Sequence, residues 1–100
     1  MTATVRFRVT GTAEEVLYDV EGAIRESGIG ITTSRRDGTR LLAQTRASLR
    51  SWGEEITAEV DGRVLSLTSY PKAQAFDWGK STDNIERLAR ALQSRGWTRE

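Results

Sequence analysis

The sequence predicts one α+β domain in which two helices cover one face of a five-stranded antiparallel sheet, in the order β-α-β-β-β-β-α. Three observations predict this class. Strand-length segments alternate apolar and polar residues, as in a sheet with one buried face. Two other segments place apolar residues at helical spacing. The chain has 100 residues, of which 37% are hydrophobic, and this suits one core better than two. We expect a single domain over residues 1–100, ordered from about residue 4 to residue 97.

The first strand and the first helix follow from patterns near the start of the chain. Residues 4–10 alternate polar and apolar side chains, which predicts a half-buried strand. Thr12 and Glu15 have the spacing of a capping box, in which each side chain accepts a hydrogen bond from the other residue's backbone amide. Gly28 provides a left-handed stop. The pattern therefore predicts a helix between Thr12 and Gly28.

A hairpin is expected around residues 36–38. A three-residue loop there would pair Ile31 with Ala43 and gather the apolar residues of both strands on one face. A two-residue loop would instead place Ile31 opposite Gln44. Burial favours the three-residue loop, followed by a long strand over residues 39–49.

A second hairpin is expected at Asp61-Gly62, a sequence typical of two-residue turns. With this turn, Val60 pairs with Arg63 and Ala58 pairs with Leu65. The apolar faces of the two strands then agree across the hairpin.

The last helix is predicted to begin after Ser81, which we expect to be its N-cap. Apolar residues then recur at helical spacing through residues 85–92. Gly96 is the expected stop, with Trp97 in position for a Schellman motif. Residues 98–100 are expected to form a tail.

The composition excludes several classes of chemistry. The chain has no cysteine and no histidine, so it has no disulfides, no cysteine or histidine metal ligands and no nucleophile that relies on histidine. Glu54 and Glu55 are adjacent and would point to opposite faces of a strand, so they do not form a carboxylate pair. We therefore expect a protein that is not an enzyme and that uses no cofactor and no metal. A carboxylate-based enzyme is the last alternative.

Membrane and export signals are also missing from the pattern. No run approaches the length of a membrane-spanning helix, and no basic segment followed by an apolar run precedes the first strand. We expect a cytoplasmic protein with no membrane span.

Gly79-Lys80-Ser81 invites comparison with a phosphate-binding loop, but the full pattern needs a glycine where Gln74 stands. A nucleotide triphosphate loop is therefore rejected. The remaining expectation is that backbone amides at the helix start, beside Lys80 and Ser81, can hold an anion.

The strand directions indicate where a ligand site would lie. In an antiparallel sheet, the connection around Trp52 and the segment that follows Tyr70 meet at the same end. We therefore expect that a small anionic or amphipathic ligand or a protein partner binds at a rim, the Trp52/Trp78 rim, or in the crevice between the last helix and the sheet. The candidate ligand-binding residues of the rim are Trp52, Tyr70, Asp77, Trp78, Lys80 and Ser81. The alternative left open is that its aromatic side chains only plug the end of the core.

The polar face of the sheet is a second candidate, for nucleic-acid binding. The arginines expected on it are Arg6, Arg8, Arg40, Arg46 and Arg50. Exposed aromatic residues for base stacking are not evident on that face, and the formal net charge is only +1.

Two resemblances add to this interpretation. The order strand, helix, four strands, helix resembles the TATA-binding-protein-like half-domain and the shorter relatives of the Bet v 1/START helix-grip group. The combination Ser51-Trp52-Gly53-Glu54, then residues 76–81, then Asn84-Ile85 is similar to a string in small bacterial domains of unknown function. These resemblances imply a fold and no catalytic residues. The leading hypothesis is therefore a small non-enzymatic binding or interaction module.

Overall fold

The computed structural model describes residues 3–46, 53–71 and 80–100. These residues form two helices and a six-stranded sheet with strand order β2-β3-β4-β5-β1-β6, in which all neighbouring strands are antiparallel. The elements in chain order are β1 (Ala3–Arg8), α1 (Ala13–Glu26), β2 (Ile31–Asp37), β3 (Arg40–Thr45), β4 (Glu54–Asp61), β5 (Val64–Pro71), α2 (Lys80–Ser94) and β6 (Thr98–Arg99). The predicted α+β class, with two helices and one antiparallel sheet, is confirmed.

One core joins both helices to one face of the sheet. From α1 it takes residues such as Leu17 and Val20, and from α2 it takes Leu88 and Leu92. Alternate residues of the central strands, such as Phe7, complete it. We call this face of the sheet the inner face and the opposite one the outer face. Alternation along each strand therefore separates core residues from solvent-facing ones, as the pattern indicates.

The prediction of five strands is wrong, because the residues expected to form a tail make a sixth. Gly96 has φ of +90° and ends α2 in a Schellman motif, with Trp97 N–H donating to Leu92 O and Gly96 N–H donating to Gln93 O. The chain then turns back along β1, where β6 pairs with Phe7 and Arg8. Two residues are too few for alternation to reveal a strand.

The turn of the first hairpin lies later than expected. In place of a three-residue loop at residues 36–38 it has a two-residue turn, Gly38-Thr39, and Asp37 pairs with Arg40. A β-bulge at Thr32 then brings Ile31 opposite Thr45 instead of Ala43. The predicted register is therefore wrong, although the bulge returns Ile31 to the apolar face.

The turn of the second hairpin lies one residue later than expected. Its turn is Gly62-Arg63, so that Val60 pairs with Leu65 and Ala58 with Leu67. In both hairpins the glycine occupies the first turn position with φ of +63°, which is the conformation of the primed turns that join twisted strands. The predicted pairing is wrong by two residues, an even number that leaves every side chain on its predicted face.

The two helix starts differ from each other in how well they were predicted. At α1 the capping box is confirmed: Glu15 N–H donates to Thr12 Oγ1 over 3.1 Å, and Thr12 N–H donates to Glu15 Oε1 over 3.0 Å. Helix α2 begins at Lys80, so Ser81 lies inside its first turn and is not the N-cap.

Candidate functional site

One end of the sheet collects the chain connections that the sequence assigns to the rim. Gln44 pairs with Glu55, and Glu55 pairs with Tyr70, so β3 ends, β4 begins and β5 ends at the same level. Ser69 pairs with Ala3, which brings the start of β1 to the same end. We call this the Glu54 end of the sheet.

The inner face becomes polar at the Glu54 end. Three side chains there are almost completely buried, and we call them the inner polar group: Thr45, Glu54 and Ser69. The Ser69 hydroxyl donates to Glu54 Oε1 over 3.2 Å, and the Glu54 backbone N–H donates to Thr45 Oγ1 over 2.8 Å. Hydrogen bonds therefore link three neighbouring strands where apolar packing stops.

Helix α2 adds a fourth buried polar residue, Asn84, whose side chain has no exposed surface. Helix α2 packs on β5 and β1, and its last turn leads into Trp97, whose ring meets Phe7 edge to face with centroids 6.3 Å apart. Because Phe7 lies toward the far end of β1, the first turn of α2 lies toward the Glu54 end. Asn84 therefore faces the core at the end where the inner polar group lies.

Asn84 is unusual because neither side-chain polar atom, Nδ2 nor Oδ1, has a hydrogen-bond partner among the residues that the structure describes. A carboxamide offers two donor hydrogens and a carbonyl acceptor. Buried groups of this kind are nearly always paired, and each unpaired one costs about 1–3 kcal/mol. The two unpaired atoms of Asn84 therefore lower the stability of the free protein.

Of the residues predicted for the Trp52/Trp78 rim, Tyr70 is the one whose side chain lies in the described part of the chain. Tyr70 lies at the Glu54 end but on the outer face, since it pairs with Glu55 and follows the inner-face residue Ser69. The backbones of Lys80 and Ser81 form the first turn of α2, and their side chains lie outside the described part of the chain. The predicted site residues Trp52, Asp77 and Trp78 also lie outside the described residues.

Tyr70 has a partner of its own on the outer face. Its hydroxyl donates a hydrogen bond to Glu55 Oε1. This hydrogen bond is the main cause that raises the pKa of Tyr70, with partial burial and the charge of Glu55 acting in the same direction. The Tyr70–Glu55 pair therefore belongs to the surface of the sheet, and the sheet itself separates it from Asn84.

The predicted arginine surface is interrupted by acids. Arg40, Glu59, Ser66 and Arg6 follow one another as cross-strand partners on the outer face. Arg40 Nε lies 3.6 Å from a carboxylate oxygen of Glu59. Arg40 and Arg6 are three strand spacings apart, about 14 Å. The outer face thus carries separated positive charges of which one is paired, a weaker attraction for a polyanion than a continuous basic stripe.

Two more of the arginines predicted for the outer face, Arg8 and Arg46, lie in the described part of the chain. Arg8 pairs with Val64 beside the Gly62-Arg63 turn. The exposed Arg46 lies beyond the end of β3, where its backbone N–H donates to Gly30 O over 2.9 Å. Arg50 lies outside the described residues. The described arginines are therefore spread along the length of the sheet.

An open groove of about 830 Å³ lies at the opposite end, between the start of α1, the end of β1 and β6. Several of its charged side chains have intramolecular partners. Asp19 meets Arg95, and Glu15 belongs to the Thr12 capping box. Arg99 pairs with a carboxylate from α2. These ion pairs and hydrogen bonds already occupy the charged groups. The groove therefore offers a ligand fewer unpaired polar groups than the Glu54 end does.

The sequence analysis missed the inner polar group and Asn84 as site residues, although the pattern contained a signal for each. Glu54 has the same strand parity as the buried Ile56, and Asn84 lies four residues before the buried Leu88. Ser69 and Thr45 likewise continue the parity of apolar neighbours. The sequence signal for the Glu54 end is therefore a polar residue at a position that alternation or helical spacing assigns to the buried face.

Comparison with models of known protein families and with curated proteins finds no match for this chain. Among the described residues, no group of three or more His, Cys, Asp or Glu side chains is arranged to hold a metal ion. No helix in the described ranges is long and apolar enough to cross a membrane. The site is therefore interpreted from its own geometry.

Proposed function

We propose that the protein is a non-enzymatic binding module whose ligand site is the Glu54 end of the sheet, on the inner face below the first turn of α2. The observation that carries the proposal is Asn84, a fully buried carboxamide with no hydrogen-bond partner among the described residues. An unsatisfied group of this kind favours binding, because a ligand that pairs with it recovers free energy that the free protein lacks. The neighbouring inner polar group supports the same placement.

The proposal keeps the position predicted for the Trp52/Trp78 rim and changes the residues on which it rests. The hydroxyl of Ser69 and the amide of Glu54 already have partners within the sheet, which holds these side chains in place. Pre-organised polar groups of this kind lower the cost of ordering a site when a ligand binds. Nucleic-acid binding through the outer face is the alternative function.

Mapping chemical-shift changes in ¹⁵N-labelled protein tests both proposed functions. The protein is titrated with a fragment set that represents amides, carboxylic acids, amines and alcohols, and separately with duplex DNA at low salt. The proposal expects saturable shifts at Thr45, Glu54, Ser69 and Asn84 with at least one fragment class. Shifts confined to Arg6, Arg8 and Arg40 with DNA would favour the alternative, and an unchanged Glu54 end with every fragment contradicts the proposed site.

A further inference from the structure

The chemistry of the unpaired side chain restricts what the ligand can be. Asn84 presents an N–H donor at Nδ2 and a carbonyl acceptor at Oδ1, and neither has a partner among the described residues. A ligand that pairs only one of these atoms leaves the other buried and unsatisfied, and so recovers only part of the cost.

Most simple ligand groups pair only one of the two atoms. A carboxylate only accepts hydrogen bonds, so it satisfies Nδ2 and leaves Oδ1 unpaired. An ammonium group only donates, so it leaves Nδ2 unpaired. A primary amide carries a carbonyl acceptor and an N–H donor on the same side, so it can form two parallel hydrogen bonds with a carboxamide in the way that asparagine pairs with an adenine edge. The N–H and C=O of one trans peptide group point in opposite directions, but the N–H and C=O of a single extended residue lie on the same side and can make the same two hydrogen bonds.

We propose that the ligand of this site presents an amide N–H to Oδ1 of Asn84 and an amide carbonyl to Nδ2; this inference rests on the proposed function. The inner polar group makes hydrogen bonds of its own. Ser69 donates its hydroxyl hydrogen to Glu54, and Thr45 Oγ1 accepts from the Glu54 backbone, so these contacts are already made within the sheet. Recognition by the described residues is then concentrated on the two atoms of Asn84.

Two sources can supply this chemistry, the backbone of an extended peptide and a primary carboxamide such as a glutamine side chain or a small amide. N-acetylglycine N-methylamide represents the first, because it contains the N–H and C=O of one residue, and propionamide represents the second. Methyl acetate is the matched control, because it has nearly the size of propionamide, keeps the carbonyl and lacks the N–H. Acetate and methylammonium serve as single-function probes.

The probes are titrated into ¹⁵N-labelled protein, and the Asn84 side-chain NH₂ and backbone resonances are followed. One or both amides are expected to give saturable shifts, with methyl acetate about tenfold weaker, the effect of one lost hydrogen bond to a buried group. A tighter response to N-acetylglycine N-methylamide assigns a peptide backbone, and a tighter response to propionamide assigns a primary carboxamide. Asn84→Leu is expected to abolish the shifts, with Asn84→Ala as a second variant should the leucine fail to fold.

Gln93→Leu is the control variant, because it removes a carboxamide from an exposed position of the same helix. It should leave amide binding unchanged. Methyl acetate that binds as tightly as the two amides, or tighter binding of acetate or methylammonium, overturns the amide assignment while leaving the proposed site standing. If no amide shifts Asn84 but another fragment class shifts the Glu54 end, the inference fails alone; if nothing shifts that end, the inference and the proposed function fail together.

Discussion

The hydroxyl of Ser69 donates a hydrogen bond to Oε1 of Glu54 over 3.2 Å, and neither residue has exposed surface. Ser69→Ala removes a donor from a buried carboxyl group and should lower the free energy of unfolding by about 1–3 kcal/mol. Urea denaturation measures the change. Ser66→Ala, on the outer face of the same strand, is the control and should change stability by less than about 0.5 kcal/mol. Equal effects of the two substitutions would contradict a structural role for the buried pair.

The unpaired carboxamide of Asn84 predicts a gain in stability when it is removed. Asn84→Leu replaces it with an apolar side chain of similar size and should raise the free energy of unfolding by about 1–3 kcal/mol. Thermal and urea denaturation measure the gain. Gln93→Leu, on the exposed side of α2, should give no comparable gain. A destabilised Asn84→Leu protein would show that the carboxamide is paired in the folded protein in solution.

The Schellman motif at the end of α2 is expected to position β6. A β-carbon added at Gly96 meets no atom within 4 Å, so the cost of Gly96→Ala comes from the backbone, whose φ is +90°. An L-residue in the left-handed region costs about 1–2 kcal/mol. The substitution should also speed hydrogen exchange at the Glu100 amide, which donates to Arg6 O. Gly96→Asn should cost less, since asparagine tolerates this conformation; an alanine variant as stable as wild type would show that the turn is not strained.

Tyr70 is expected to ionise above its ordinary pKa of 10.0, chiefly because its hydroxyl is hydrogen-bonded to Glu55. A tyrosine whose folded pKa is raised contributes stability that is present below its unfolded pKa and is lost as the pH rises through the folded pKa. The chain has two tyrosines, so Tyr18→Phe leaves Tyr70 as the one that absorbs as tyrosinate. In that background Glu55→Gln should lower the midpoint of the absorbance titration. An unchanged midpoint would exclude Glu55 as the cause.

Glu15 gives the opposite dependence on pH. Its pKa is lowered from the ordinary value of 4.5, first by the Thr12 backbone N–H and then by the Thr12 hydroxyl. A carboxyl group with a depressed folded pKa contributes stability that is present above the unfolded pKa and is lost as the pH falls through the folded pKa. Glu15→Gln keeps the geometry of the capping box and does not titrate. Its stability should therefore fall less steeply than that of the wild type below pH 4.5, and parallel curves for the two proteins would contradict the prediction.

Predictions that depended on local chemistry were confirmed. The Thr12–Glu15 capping box and the Gly96 stop each depend on residues that are close in the chain, where backbone conformation and hydrogen bonding are decided over one turn. The expected cap at Ser81 was wrong by two residues, since it would start the helix at residue 82 and α2 begins at Lys80. Local signals place an element securely and its exact boundary less so.

The meeting of strand ends at the Glu54 end was predicted, but the buried polar residues there were not. The strand directions correctly bring the end of β3, the start of β4 and the end of β5 together. They do not show that Glu54 and Ser69 are buried and hydrogen-bonded, or that Tyr70 faces away from them. Which polar residues meet depends on which face each strand turns to the core at its last residues.

By itself, the sequence determined the α+β class, the two helices and the apolar faces of β1, β3, β4 and β5, because alternation and helical spacing are properties of short segments. The tertiary structure alone decided three further features. The hairpin registers depended on the turn position and on the bulge at Thr32. Strand β6 formed because the turn at Gly96 returned the chain to β1. Asn84 came to lie unpaired in the core because packing α2 on the sheet buried its side chain, a long-range contact that no segment of the chain specifies alone.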